Sequence, residues 1–254
     1  MSDKFKVLVL SSIPPRRPEK SRPDWQDLAD ITWATQRKYC ERWGYDRHED
    51  ISDLYERVRS PIMGSSLGEP APIKYFIKFV LFRHFLDPDA CGKEYDYVVW
   101  IDSDVVITNY EIPLEKFFNG RPGTNEDERW GGDIVLSRDP NGLHATVIIM
   151  RRTPHTLGFS WANLNAGMTY FQLDGWADQL SMRMFLQTPP YSEMIHYHSV
   201  KTLCAMPPGI YPIPTRVREL YEWEPGDFSL HLSALSTEKR IEIASEYVER
   251  LGLL

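Results

Sequence analysis

The sequence is poor in cysteine, with three in 254 residues. Cys40, Cys91 and Cys204 are far apart and odd in number, so they form neither a zinc-ligand spacing nor a disulfide framework. Reduced thiols are expected. Long apolar runs are also missing. The stretch Val7 to Leu10 is too short for a signal-peptide core and far too short to cross a membrane, and no other run comes close. There is no excess of positive charge: the formal net charge is -7 and the pI is near 5.5. That argues against general DNA or RNA binding, because neutralising phosphates requires a basic face. It leaves room for a local basic site on a nucleotide phosphate. No fixed-period repeat or low-complexity tract is present.

What is present is the material for a core. Hydrophobic residues make up 42% of the chain and aromatics 13%, enough for one large domain. "FKVLVLSS" reads as a first, fully buried strand. The proline-rich "SIPPRRPEKSRP" that follows must be a loop. It leaves the C-terminal end of a strand, where open α/β sheets place ligands, and it carries Arg16, Arg17, Lys20 and Arg22. Apolar spacing from Asp27 to Trp43 predicts a helix ended by Gly44. "YDRHED" reads as a short strand, and "IKYFIKFVLFRHFL" as an amphipathic helix stopped at Asp87-Pro88. "YVVWIDSDVVITNY" reads as one strand, and Ile112 to Phe118 as a short helix. "DIVLSRD" and "HATVIIMRR" give two more strands. Thr153-Pro154 opens helical segments that run to about Leu186, interrupted near Asn165 to Gly167 and at Gly175. From Pro189 the chain reads as irregular until "DFSLHLSA" forms a late strand. A closing amphipathic helix follows, with Thr237 as its N-cap. Strands alternating with helices predict an α/β fold around a mostly parallel sheet.

The chemistry centres on Asp102 and Asp104. Residues i and i+2 of a strand share a face, so both carboxylates can converge at a strand end. Close carboxylates repel unless a proton or cation lies between them. Hard divalent ions take a few carboxylates together with substrate phosphates. The pattern therefore reads as a metal site presenting a diphosphate; the alternative is a pair that only hydrogen-bonds nearby backbone. His231, in "GDFSLHLSALS", is a candidate third ligand, since imidazole suits Mn²⁺.

Four blocks in order, "YDYVVWIDSDVVITN", "DPNGLHATVIIMRRTP", "DGWADQLSM" and "GDFSLHLSA", resemble the galactosyl/xylosyl/mannosyl transferase family. That family includes yeast Golgi mannan transferases, galactomannan galactosyltransferases and plant xyloglucan xylosyltransferases. The resemblance covers most of Ala34 to Ala234. It implies a GT-A fold in a single domain: a mixed, mostly parallel sheet flanked by helices. Residues 1–110 would form the nucleotide-binding half and 111–254 the acceptor-binding and catalytic half. It also implies a retaining enzyme that moves a hexose or pentose from a nucleotide sugar, UDP-linked in the first instance, to a glycan. Asp102, Asp104 and His231 match its metal ligands, for Mn²⁺ or Mg²⁺. Asp178 and Gln179 match the acidic-Gln pair beside the reacting sugar. Asp102, Ser11, Lys78, Asn141, Gly142 and His144 are assigned to the donor. His144 stands where the family has Asn, and Thr146 where it has Gly. "NLNAG", Asn163 to Gly167, is a rival for the donor segment. Arg16, Arg17, Lys239 and Arg240 are candidates to share the charge of the leaving diphosphate. "YEWEPGDF" is assigned to the neighbourhood of the acceptor. The Golgi relatives carry a membrane anchor and this sequence shows none, so the cytoplasm of a bacterium or virus-infected cell is the expected location.

Two other readings stay open. One is a phage-type glycosyltransferase acting on modified DNA bases through a groove of Arg151, Arg152, Arg216 and Arg218. The other is a non-catalytic protein that holds a nucleotide or glycan.

Overall fold

A computed structural model describes residues 5–14, 23–51, 76–118, 132–139, 142–170 and 177–254. Asn141, Arg16, Arg17, Lys20, Arg22 and Gly175 lie outside them.

The main sheet has six strands in the order β2-β1-β3-β6-β5-β7. These are β1 (Val7–Ser12), β2 (Asp46–Asp50), β3 (Tyr97–Ile101), β5 (Ile134–Asp139), β6 (Gly142–Arg151) and β7 (Ile195–Ser199). β1 pairs in parallel with β2 and β3, and β5 with β7, while β6 runs antiparallel to both β3 and β5. Five strands thus share one direction, and the sheet is mixed but mostly parallel. A second sheet pairs β4 (Val105–Ile107) with β8 (Ser229–His231), antiparallel.

Strand alternation divides the core into two layers. Leu8, Leu10, Val98, Trp100, Ile148 and Met150 face one side, packed against α2 (Ile77–Leu86), α4 (Pro154–Tyr170) and α5 (Ala177–Phe185). Val7, Val9, Val99, Ile101, Val147 and Ile149 face the other, packed against α1 (Trp25–Trp43) and α6 (Val200–Cys204). The short α3 (Pro88–Cys91) follows α2 directly. The small sheet is covered by α7 (Thr237–Leu251), through Leu230, Leu232, Ile243 and Tyr247.

Several expectations need correction. "YVVWIDSDVVITNY" is not one strand: β3 stops at Ile101, residues 103 and 104 turn, and β4 joins the other sheet. The Asp102 N–H makes one more ladder contact, to the Thr146 carbonyl at 2.9 Å, and Val105 N–H then closes the turn on the Asp102 carbonyl at 3.3 Å. Ile112 to Phe118 holds only a 3₁₀ turn, Leu114–Lys116. α4 runs unbroken through Asn165 to Gly167. Gly167 belongs inside it because a Cβ there would overlap the Phe76 ring. The segment after Pro189 is not irregular throughout, since it supplies β7 and α6. The cap of α7 is Ser236, whose hydroxyl accepts the Lys239 N–H at 3.3 Å, and Thr237 is the first helical residue. Other signals match the structure: Gly44 ends α1 at φ 69°, and Thr153 Oγ1 accepts the Thr156 N–H at 3.2 Å where α4 begins.

Among the described residues no helix is long and apolar enough to cross a membrane.

Candidate metal and donor site

The break after β3 places Asp102 at the C-terminal end of a central parallel strand. Asp104 lies two residues on, at the entrance to β4. The β4–β8 ladder sets Val105 opposite His231. The Leu232 N–H also donates to the Asp104 carbonyl at 3.0 Å, and the His231 N–H to the Ala205 carbonyl at 2.8 Å. Two sheets thus deliver three side chains to one point. One ligand atom from each of Asp102, Asp104 and His231 lies within 4.8 Å of the others. His231 Nε2 is 3.4 Å from Asp104 Oδ1. Asp104 and His231 are 7% and 5% exposed, whereas Asp102 keeps 29% of its side chain open.

The turn carrying the aspartates is held from below. Thr32 Oγ1 of α1 donates to the Ser103 carbonyl at 2.6 Å. Gln36 Nε2 donates to the carbonyls of Val105 at 3.0 Å and Asp102 at 3.3 Å. Trp100 Nε1 donates to Asp102 Oδ1 at 2.5 Å. None of these supports stood out in the sequence, where Thr32 and Gln36 fall within the predicted helix from Asp27 to Trp43.

Electrostatics separate the two carboxylates. Burial pushes Asp102 above the ordinary carboxylate range, Lys78 opposes this, and the Asp104 charge adds to it. Burial acts upward on Asp104 too, but His231 and Arg240 outweigh it and hold Asp104 below that range. Two carboxylates and an imidazole so placed favour a cation between them. Two oxygen donors with one nitrogen donor are compatible with a divalent metal ion.

Beside the triad lies a second ion pair. Lys78 of α2 is 5% exposed. Its Nζ lies 2.7 Å from Asp178 Oδ2 and 3.7 Å from Asp102 Oδ1. It also donates to the Ala145 carbonyl at 3.1 Å. Lys78 therefore ties the first turn of α5 to the end of β3 and to β6. Asp178 is buried, and Gln179 beside it is half-buried.

The remaining assigned residues are distributed as follows. Gly142 opens β6 at φ 117°, a backbone region that favours glycine. Ser11 is fully buried under α1: its Oγ lies 2.5 Å from the Ile101 carbonyl and 2.9 Å from Gln36 Oε1, and accepts from Arg47 Nη1 at 3.1 Å. His144 is buried with its ring against that of His231, centroids 5.0 Å apart and nearly perpendicular. Its Nδ1 is 3.3 Å from Cys204 Sγ. Burial and the His231 charge push His144 down to about 3, so its imidazole is neutral. In the rival segment, Asn163 is buried inside α4, bonded to the Phe159 carbonyl at 2.9 Å and to Ser181 at 2.7 Å.

The geometry ranks two of the cations. Lys239 is half-buried, with 44% of its side chain open, and paired with Glu242 at 2.6 Å. Arg240 turns inward: its Nε lies 3.7 Å from Asp104 Oδ2 and donates to the Leu232 carbonyl at 2.7 Å, and its guanidinium lies 4.6 Å over Trp25. Arg151 and Arg152 are at the other end of the sheet. Arg151 is in register with Tyr97, at the start of β3, about 16 Å of strand from Asp102. They pair with Asp133 and Glu94. Trp223 of "YEWEPGDF" is buried against Tyr247 of α7, their rings 5.0 Å apart.

No protein-family model matches the chain. A curated relative, galactomannan galactosyltransferase 1 of Cyamopsis tetragonoloba, is 26% identical over 121 residues, a stretch of 47% of this chain and 26% of the relative. The chain thus spans about a quarter of the length of that relative. Among solved structures, a glycosyltransferase involved in glycosylation of the major capsid of PBCV-1 superposes with a TM-score of 0.63 at 14% identity. That match covers 95% of this chain and 99% of the other. The bifunctional glycosyltransferase WbbM superposes with a TM-score of 0.58 at 10% identity, over 99% of this chain and 50% of its own. At such identities the likeness is one of fold: the chain has the GT-A glycosyltransferase fold.

Proposed function

We propose that this chain is a metal-dependent, retaining glycosyltransferase that moves a hexose or pentose from a nucleotide sugar, UDP-linked in the first instance, to a glycan acceptor. The observation that carries the reading is the Asp102–Asp104–His231 triad, set at the C-terminal end of a central strand in a GT-A fold. Open α/β sheets bind their ligands at that end.

Asp102, Asp104 and His231 would hold Mn²⁺ or Mg²⁺, whose chemistry here is Lewis-acid stabilisation of the departing nucleoside diphosphate. Arg240, beside Asp104, adds a fixed positive charge on the same side. Residues 1–110 bind the nucleotide, and the donor sugar lies along the start of β6, between the triad and Asp178. Lys78, 2.7 Å from Asp178 Oδ2, fixes the Asp178 carboxylate in a buried place. Asp178 then orients sugar hydroxyls, and Gln179 faces the developing oxocarbenium charge. The acceptor enters past the second half of the chain.

Two experiments test this. A screen of nucleotide sugars by thermal shift with Mn²⁺ identifies the donor, because ligand binding raises apparent stability. Donor hydrolysis, read as nucleotide release, then tests the site. Asp104→Ala is expected to lower it at least about 100-fold, the scale on which removing a charge-stabilising group acts. Unchanged hydrolysis by Asp104→Ala would overturn the metal-site assignment.

A further inference from the structure

We infer that Thr146 is a positioning residue for the metal ligands, with His144 as its packing partner, and that neither is itself a ligand. This rests on the metal-site reading above. Asp102 follows β3 in the large sheet, whereas His231 ends β8 in the small one. A common ion requires the two sheets to be held in register at this point, and Thr146 touches both. Its carbonyl accepts the Asp102 N–H at 2.9 Å. Its hydroxyl lies 3.4 Å from both ring nitrogens of His231.

Nε2 of His231 faces Asp104 Oδ1. With Nε2 turned to the ion, Nδ1–H must find an acceptor, because a ligating imidazole needs its other nitrogen fixed to set tautomer and ring plane. Thr146 Oγ1, equally 3.4 Å from Nδ1 and Nε2, packs against the ring and becomes that acceptor once the ring turns Nε2 to the ion. The ring plane is set from a second side by the perpendicular His144 ring. His144 is in turn held by Cys204 Sγ, which lies 3.6 Å from Ser137 Oγ. Thr146 and His144 are two apart on β6 and so share a face. They are also two positions at which this sequence departs from the Asn and Gly of the resembling family. Both departures converge on His231.

The test is Mn²⁺ binding to the full chain, with free Mn²⁺ read by electron paramagnetic resonance, so that no turnover is needed. Thr146→Val removes the hydroxyl at nearly constant shape and is expected to weaken Mn²⁺ about 10-fold or more, within the range found when outer partners of metal ligands are removed. Thr146→Ser keeps the hydroxyl and is expected to bind as the unaltered protein does. His144→Phe keeps a ring against His231 and is expected to retain affinity within a few-fold, while His144→Ala loses it. Circular dichroism checks that each variant folds; should Thr146→Val fail to fold, the two His144 variants carry the test. Two outcomes overturn the inference. One is Thr146→Val binding Mn²⁺ within twofold of the unaltered chain. The other is loss of all binding in His144→Phe, which would make His144 a ligand. Asp104→Ala separates this from failure of the site itself. If the unaltered chain binds Mn²⁺ no better than Asp104→Ala, the metal reading falls and this inference with it.

Discussion

Lys78 shows how one side chain can support several others. It is a buried cation with two carboxylates and a carbonyl within reach, so its charge is compensated and so is that of Asp178. Removing one member of a buried pair leaves an uncompensated charge and costs about 3–5 kcal/mol. Lys78→Met is expected to lower the unfolding free energy measured by urea titration by that much. The double variant Lys78→Met/Asp178→Leu is expected to recover most of the loss, since it removes both charges. A Lys78→Met single variant as stable as the unaltered chain would show that the pair contributes nothing. The sequence offered Lys78 as a residue near the donor, but its link to Asp178, one hundred positions later, is a tertiary contact. Asp102 and Asp104 were legible as a pair because two acids within an apolar stretch need a partner. Thr146 was not legible, because a threonine in a strand is ordinary.

At the scale of elements, the sequence located most helices and strands within a few residues. β1, β5, β6 and α1 follow from apolar pattern, caps and glycine stops. The misreadings have particular causes. "YVVWIDSDVVITNY" is apolar on both sides of the aspartates, and nothing local says that its halves pair with different sheets. "IHYHS" is polar because β7 is an edge strand, half-buried from Ile195 to His198 and exposed at Ser199. The mistaken cap of α7 has a direct test. Ser236→Ala is expected to cost about 1 kcal/mol, the usual loss for removing a capping hydroxyl. Thr237→Ala, one position inside the helix, is expected to cost a few tenths at most. Equal effects in thermal melts would contradict the observed cap.

At the scale of the whole molecule, pH links the buried and half-buried histidines to stability. Burial holds His48, His144, His196 and His198 below the ordinary imidazole value, with His144 at about 3. The unfolded chain accepts protons near pH 6.5 that the folded chain refuses. Stability therefore falls as pH drops through the ordinary imidazole value, and the contribution of His144 is lost down to about pH 3. Asp104, held below its ordinary value, acts in the same sense at lower pH. Asp133 and Asp227, raised by burial, act in the opposite sense there. The thermal midpoint is expected to fall across that window, and less steeply in His144→Phe. A flat or rising midpoint in the unaltered chain would count against these histidines being held neutral by their surroundings. Of these four, His144 also packs against the triad, its ring nearly perpendicular to that of His231.

By itself the sequence determined the alternation of strands and helices, the layer of apolar residues on each sheet face, and the chemical types gathered in the motifs. These depend on periodicity and on local backbone chemistry, which act over a few residues. Only the tertiary structure decided that β3 and β4 part company at Asp102, that β8 brings His231 to the same point, and that Thr146 touches both. It also chose Arg240 over Lys239. The reason is physical: such choices depend on which strand lies beside which, and burial and desolvation enforce them between residues far apart in the chain.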